Sequence, residues 1–135
     1  MTHTDRQVTA ALVTLIMLQA TMLSALYAGI RPHPPVATPL FGIAPFLGAA
    51  MSVAVSAVIA QPVATATGRC LALLAAVTAL VSFGPHKYFD PQFALIWPAV
   101  VLGQLAAIVI FVRVYGRIRA DRSAVPAPSA GAGTL

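Results

Sequence analysis

Long stretches without any charged residue constrain the fold of this chain more than any other feature. No Asp, Glu, Lys or Arg occurs from Gln7 to Ile30, and none occurs from Pro32 to Gly68. A helix needs about 20 apolar residues to cross the hydrocarbon layer of a bilayer, so the first stretch predicts a transmembrane helix. Only 8% of all residues are charged, whereas soluble domains carry about a quarter. The pattern therefore predicts an all-α membrane protein.

Four transmembrane helices are expected, separated by proline-rich breaks at RPHPPVATP and GPHKYFDP. Two alternatives are weaker. A secretory signal peptide in place of the first helix would have an apolar region of typically about 7 to 15 residues. A re-entrant segment in place of the third helix would explain why Arg69 interrupts its apolar run. The predicted helices cover about residues 7–30, 40–60, 64–83 and 93–115, and the last continues as a basic helical stub to residue 122.

These helices form one four-helix transmembrane domain over residues 1–122. Residues 123–135 consist mostly of Ala, Pro, Ser and Gly with almost no large apolar side chain, so we expect them to be disordered.

The cations divide unequally between the two ends of such a bundle. Six fall at one end and only Arg31 and Lys87 at the other, which is the asymmetry that places the basic side in the cytoplasm. We therefore expect both termini in the cytoplasm of a bacterial inner membrane, in the absence of any eukaryotic targeting signal. The asymmetry also explains the net charge of +5 without a nucleic-acid partner. The six residues of the basic end are Arg6, Arg69, Arg113, Arg117, Arg119 and Arg122.

Small residues predict where helices pack, because close backbone approach drives helix association in lipid. The second helix carries an unbroken ladder at four-residue spacing, and two shorter ladders occur in the third and fourth helices. We expect the first to be a packing seam, whereas the frequency of Ala makes the shorter ladders compatible with chance. The long ladder is Ala44, Gly48, Ser52, Ser56 and Ala60; the shorter ones are Gly68, Ala72 and Ala76, and Ala99, Gly103 and Ala107.

Two amides, Gln19 and Gln104, lie near the centres of the first and fourth helices. A buried amide without a partner costs a few kcal/mol, so both should point inward, where they could bond each other. The simplest interpretation is a packing contact between helices, and the alternative is a polar waist in a permeation path.

Reactive side chains gather at the proline-rich end, where His33 and His86 would lie on the same surface as Lys87, Tyr88 and Asp90. Two histidines could ligate a metal or haem, but no H-x-x-H or C-x-x-C spacing accompanies them. We therefore predict no metal and no cofactor. Loop residues that bond headgroups and cap helix ends explain these side chains equally well.

Sites for acid–base or nucleophilic catalysis are missing from the pattern, since the chain has no Glu and none of its three Asp falls within a predicted crossing. The same absence argues against proton-coupled transport. Arg69, Arg113 and Arg117 at the basic end are explained by topology, with binding of anionic lipid by Arg113 and Arg117 as an alternative.

The sequence therefore favours a non-enzymatic accessory, assembly or interaction subunit, partnered by the bilayer and by another membrane protein or a second copy. The first alternative is a permeation protein for ions or small uncharged solutes with Gln19 and Gln104 at its waist. The second is a membrane redox or metal protein that uses His33 and His86.

Overall fold

The computed structural model describes residues 2–30 and 40–124. In these residues the chain forms four α-helices and one short 3-10 helix, with no strand. The α-helices are α1 (His3–Ala28), α2 (Leu40–Ile59), α3 (Ala66–Phe83) and α4 (Phe93–Ser123), and the 3-10 helix spans Pro85–Phe89. Each α-helix is long and apolar enough to cross a membrane. The all-α fold class with four long apolar helices is confirmed.

Helix α1 begins at His3, four residues before the predicted start, because a capping box extends it beyond the apolar run. The Thr2 hydroxyl accepts a hydrogen bond from the Asp5 amide at 3.1 Å, and the Asp5 carboxylate accepts one from the Thr2 amide at 3.0 Å. These two bonds satisfy backbone donors that a helix start leaves without partners. The helix ends at Gly29, whose φ of 65° is the left-handed conformation that favours glycine.

The main further differences from expectation concern α3, α4 and the break between them. Helix α3 begins at Ala66 rather than at residue 64, because the Thr65 side chain caps its first turn by accepting from the Gly68 amide at 2.9 Å. Helix α4 runs without a break to Ser123, so the basic stub belongs to it. The predicted break after Gly84 contains the 3-10 helix. We expected the C-terminal segment 123–135 to be disordered. Its residues from 125 onward lie outside the part of the chain that the structure describes.

The four helices pack in cyclic order around a common axis. Each contacts its two neighbours along the bundle, with α1 and α4 closing the ring; α1 also contacts α3 across the centre, while the described residues of α2 and α4 remain apart. The first turn of α1, the α2–α3 turn and the last turns of α4 meet around one cavity. We call this the terminal end of the bundle, and the opposite end, which carries the 3-10 helix, the distal end.

Small side chains fill the interior. Among the described residues, ten of the nineteen buried hydrophobic ones are alanine. Many large apolar side chains point outward instead, including Phe41, Ile59 and Phe89, which are 82%, 78% and 90% exposed. This is the reverse of a soluble core and matches helices that pack through small residues in lipid. The buried alanines are Ala11, Ala50, Ala54, Ala57, Ala72, Ala75, Ala76, Ala79, Ala106 and Ala107.

Two glycines mark the closest approaches between helices. At Gly68 a Cβ atom would collide with the carbonyl oxygens of Ala60 and Gln61 in the tight α2–α3 turn. At Gly103 a Cβ atom would lie 2.8 Å from the Cβ of Phe83. Both positions belong to the shorter ladders, which are therefore internal seams of the bundle.

We expect Gly103→Ala to lower the free energy of unfolding by about 1 to 3 kcal/mol, because the added methyl group forces α3 and α4 apart. The matched control is Gly116→Ala on the same helix, where a Cβ atom meets nothing within 4 Å. That change should be neutral or stabilise by up to about 1 kcal/mol through helix propensity. Unfolding in mixed detergent micelles measures both, and equal values would contradict the close α3–α4 contact.

Candidate functional site

The two central amides do not bond each other in the structure. Gln104 Nε2 donates to the carbonyl oxygen of Phe83 at 3.1 Å, and the Tyr88 hydroxyl donates to Gln104 Oε1 at 2.8 Å. The Tyr88 ring also packs edge-on against Phe93, with centroids 5.2 Å apart. Gln104 thus joins α4 to the end of α3 and to the 3-10 helix rather than to Gln19.

The Phe83 carbonyl explains why an amide is needed at this position. The last carbonyl groups of a helix have no acceptor role within the helix itself, and Phe83 is both the final residue of α3 and buried. In an apolar surrounding, such a group needs a donor from elsewhere in the protein. Gln104 provides it, so this side chain caps a helix end.

Gln19 has a different environment from Gln104. Its side chain faces the interior and the residue is 1% exposed, as the sequence predicts for an inward amide. Its Oε1 atom has no hydrogen-bond partner among the described residues. Because an unsatisfied buried acceptor costs free energy, Gln19 does not contribute the stabilising contact expected from sequence.

The two amides should therefore respond differently to replacement by leucine. We expect Gln104→Leu to destabilise the bundle by about 1 to 2 kcal/mol, because the Phe83 carbonyl and the Tyr88 hydroxyl lose their partner. Gln19→Leu should cost nothing or stabilise, since it removes an unpartnered acceptor. The free energies of unfolding of Tyr88→Phe, of Gln104→Leu and of the double variant together give the coupling energy between Tyr88 and Gln104. A larger loss at Gln19 than at Gln104 would contradict this assignment.

At the distal end, Lys87 and Asp90 form a local ion pair with 3.3 Å between Nζ and Oδ2. The Gln92 amide donates to Asp90 Oδ1 at 2.9 Å. That hydrogen bond, with the nearby Lys87 ammonium, lowers the pKa of Asp90 below its ordinary value despite the opposing effect of partial desolvation. These contacts fold the 3-10 helix back onto the start of α4.

The histidines do not assemble into a site within the described residues. His86 is exposed, and His33 lies in the segment 31–39, outside the residues that the structure describes. In the described ranges, no three His, Cys, Asp or Glu side chains come together as a metal-ligating group.

The central part of the long ladder of α2 faces away from the bundle interior, whereas Ala44, Gly48 and Ala60 are half-buried. Ser52 and Ser56 are exposed, and a Cβ atom at Gly48 would meet nothing within 4 Å. At 100° per residue, Ser52 and Ser56 lie nearly opposite Ala54, which is buried. The ladder is therefore not the internal seam of α2. A second row of small and apolar residues makes that seam: Leu47, Ala50, Ala54 and Ala57.

At the terminal end, Arg69 is held by a carboxylate that the sequence analysis did not single out. Its NH1 atom lies 2.7 Å from Asp121 Oδ2, and Arg117 Nε lies 3.1 Å from Asp121 Oδ1. The four-residue spacing of Arg117 and Asp121 could have revealed their pairing on a helix. The contact with Arg69, 52 residues away, depends on tertiary structure.

Arg113 differs from its two neighbours in this network. It is exposed and makes no hydrogen bond or ion pair with the rest of the described chain. It borders two cavities, one on each side of its helix turn.

Comparison with protein-family models, curated proteins and solved structures finds no match to this chain.

Proposed function

We propose that this chain is a small multi-pass integral membrane protein without catalytic activity, an accessory or assembly subunit that packs against another membrane protein or a second copy. The observation that carries the proposal is the outward small-residue ladder of α2. In the proposed arrangement the terminal end faces the cytoplasm of a bacterial inner membrane.

The distribution of side chains supports insertion in a bilayer. Large apolar residues such as Leu95 and Val112, 65% and 62% exposed, would contact lipid chains, whose apolar character they share. Trp97 and Tyr115 are 52% and 66% exposed near opposite ends of α4, where amphipathic rings favour the two interfaces. The arginine-rich terminal end then satisfies the preference for positive charge in the cytoplasm.

The α2 ladder supports association with another helix. Gly48 leaves room for a second backbone, and the Ser52 hydroxyl donates to the Gly48 carbonyl at 2.8 Å, so its donor is already satisfied in lipid. A face of this kind allows the close helix approach that stabilises membrane complexes. The interior of the bundle uses the opposite face of α2 and leaves this one available.

The two alternatives receive less support. Both polar atoms of the Gln104 amide are engaged by Phe83 and Tyr88, and Gln19 is enclosed rather than open to a channel. This arrangement favours packing over permeation. A redox or metal role for His33 and His86 has no converging ligands in the described part of the chain to favour it.

Reporter fusions test the orientation. We expect a fusion after residue 135 and one in the α2–α3 turn, near Val63, to report a cytoplasmic location, because six arginines accompany these positions. A fusion in the connection between α1 and α2, or near Pro91, should report the opposite side. A periplasmic signal from the C-terminal fusion would contradict the orientation.

Substitutions on the ladder test the association. We expect Ser52→Leu to weaken self-association or complex formation by roughly tenfold, because the larger side chain keeps a second helix at a distance. Energy transfer between labelled copies in vesicles, and cross-linking in native membranes, measure these two outcomes.

The matched control for Ser52→Leu is Thr21→Leu on α1. The Thr21 hydroxyl is exposed and donates to the Met17 carbonyl at 2.8 Å, as Ser52 does to Gly48, but it lies outside the ladder. Neither change should alter the stability of the isolated chain by more than about 1 kcal/mol. Association that survives both substitutions equally would refute the assignment of this face.

A further inference from the structure

A groove runs between α1 and α4 on the outside of the bundle. It encloses about 350 Å³ and is bordered at one end by Gln7 and Arg113 and at the other by Thr14 and Leu102. Its walls are apolar, formed by Ala10, Ala11, Leu105, Ala106 and Val109. From residue 102 to residue 113 a helix advances roughly 16 Å at 1.5 Å per residue. That length is close to one leaflet of a hydrocarbon core about 30 Å thick.

A second cavity of about 370 Å³ adjoins the groove at the terminal end. Arg113 lines both, so the polar end of the groove opens toward this cavity. Hydroxyl-bearing Thr2 and Thr4 and the basic Arg117 line it as well, together with Val63, Val112 and Gly116. The two spaces thus form a polar compartment continued by an apolar one.

The charges around the polar compartment favour an anion. Arg117 shares the Asp121 carboxylate with Arg69, which leaves these three residues with one positive charge in excess. Arg113 adds a second and has no acidic partner in the described chain. Asp5, the other carboxylate at this end, accepts hydrogen bonds from Thr2 and keeps its negative charge, so the three arginines and the two aspartates together carry one net positive charge. A phosphate diester would supply the acceptor that Arg113 lacks.

Gln7 adds a further unfilled contact at the junction of the two spaces. Its Oε1 atom is buried and has no hydrogen-bond partner among the described residues, while its side chain lines the groove beside Arg113. When the Gln7 side chain turns toward the groove, a glycerol hydroxyl would donate to this acceptor, and a simple inorganic anion such as sulfate would not.

We propose that this composite site binds one anionic phospholipid, with its phosphate on Arg113 and one acyl chain along the α1–α4 groove. Basic pockets between transmembrane helices on the cytoplasmic side recognise lipids of this class. The inference rests on bilayer insertion in the proposed orientation, but it is independent of the α2 ladder and of any protein partner.

A comparison of phosphatidylglycerol with phosphatidylcholine tests the effect of headgroup charge, because both carry a phosphate but only phosphatidylglycerol has a net negative charge. We expect the full chain, stripped of lipid in detergent, to retain phosphatidylglycerol in native mass spectrometry and to gain thermal stability from it, with little response to phosphatidylcholine. Arg113→Gln should weaken phosphatidylglycerol binding by about tenfold, as expected for a charge-assisted bond, and Arg113→Lys should restore most of it.

Arg119→Gln is the matched control, since it removes the same charge from an exposed position of α4 that borders neither cavity. Equal losses for the two glutamine variants would overturn the site in favour of nonspecific attraction to the basic end. Equal binding of the two lipids would overturn it as well.

The acyl groove is tested by Leu105→Trp, which fills it from an exposed position. Ile108→Trp provides the control, because Ile108 is equally exposed at 55%, against 53% for Leu105, and lies outside the groove. Only Leu105→Trp should displace the lipid.

Inorganic phosphate tests whether the ligand is a free anion. Tight binding of phosphate that Leu105→Trp leaves unchanged would refute the lipid. Ser52→Leu should leave lipid binding intact, which separates this inference from the proposed association.

Discussion

Close contact between alanine-rich helix faces is the interaction on which the rest of this structure depends. Apolar side chains gain little by leaving lipid for protein, so a bundle in a bilayer is held by van der Waals contact at short range and by a few polar bonds. Gly68 and Gly103, where even a methyl group would collide with a neighbour, set how near α3 can come to α2 and α4. Many of the large apolar side chains are thereby left for the outer surface of the bundle.

Few polar side chains lie inside the described part of this bundle, and some of those that have partners link separate helices. At the terminal end, Asp121 joins Arg69 and Arg117 across two helices. In the body of the bundle, Gln104 serves two partners at once. Among the polar groups without a partner in the described residues, Arg113 and the Gln7 amide oxygen adjoin the same groove, whereas the Thr9 hydroxyl and the Gln19 amide oxygen do not line it.

The sequence predicted the helices well and their mutual faces poorly. Charge-free runs and proline breaks located four helices, since a span needs only length and apolarity. The sequence located the small-residue ladder of α2 but not the face that lines the interior, because Ala50, Ala54 and Ala57 form a second, buried row of small residues and the sequence cannot rank two such rows. The Gln19–Gln104 pair is absent, because the sequence predicts the end of α3 at Phe83 but does not reveal that this end lies beside Gln104. The capping box of Thr2 and Asp5 has a recognisable sequence pattern, but the start of α1 was predicted from the apolar run alone.

The cap on α3 has a consequence for how the chain is made. Helix α3 has only 18 residues, and the carbonyl oxygen of its last residue is bonded by a side chain that follows 21 positions later. During synthesis α3 is complete before Gln104 exists, so on its own it would expose an unbonded carbonyl group to lipid. Helix α4 therefore carries the donor that completes the end of α3, and the two helices reach their final hydrogen bonding only together.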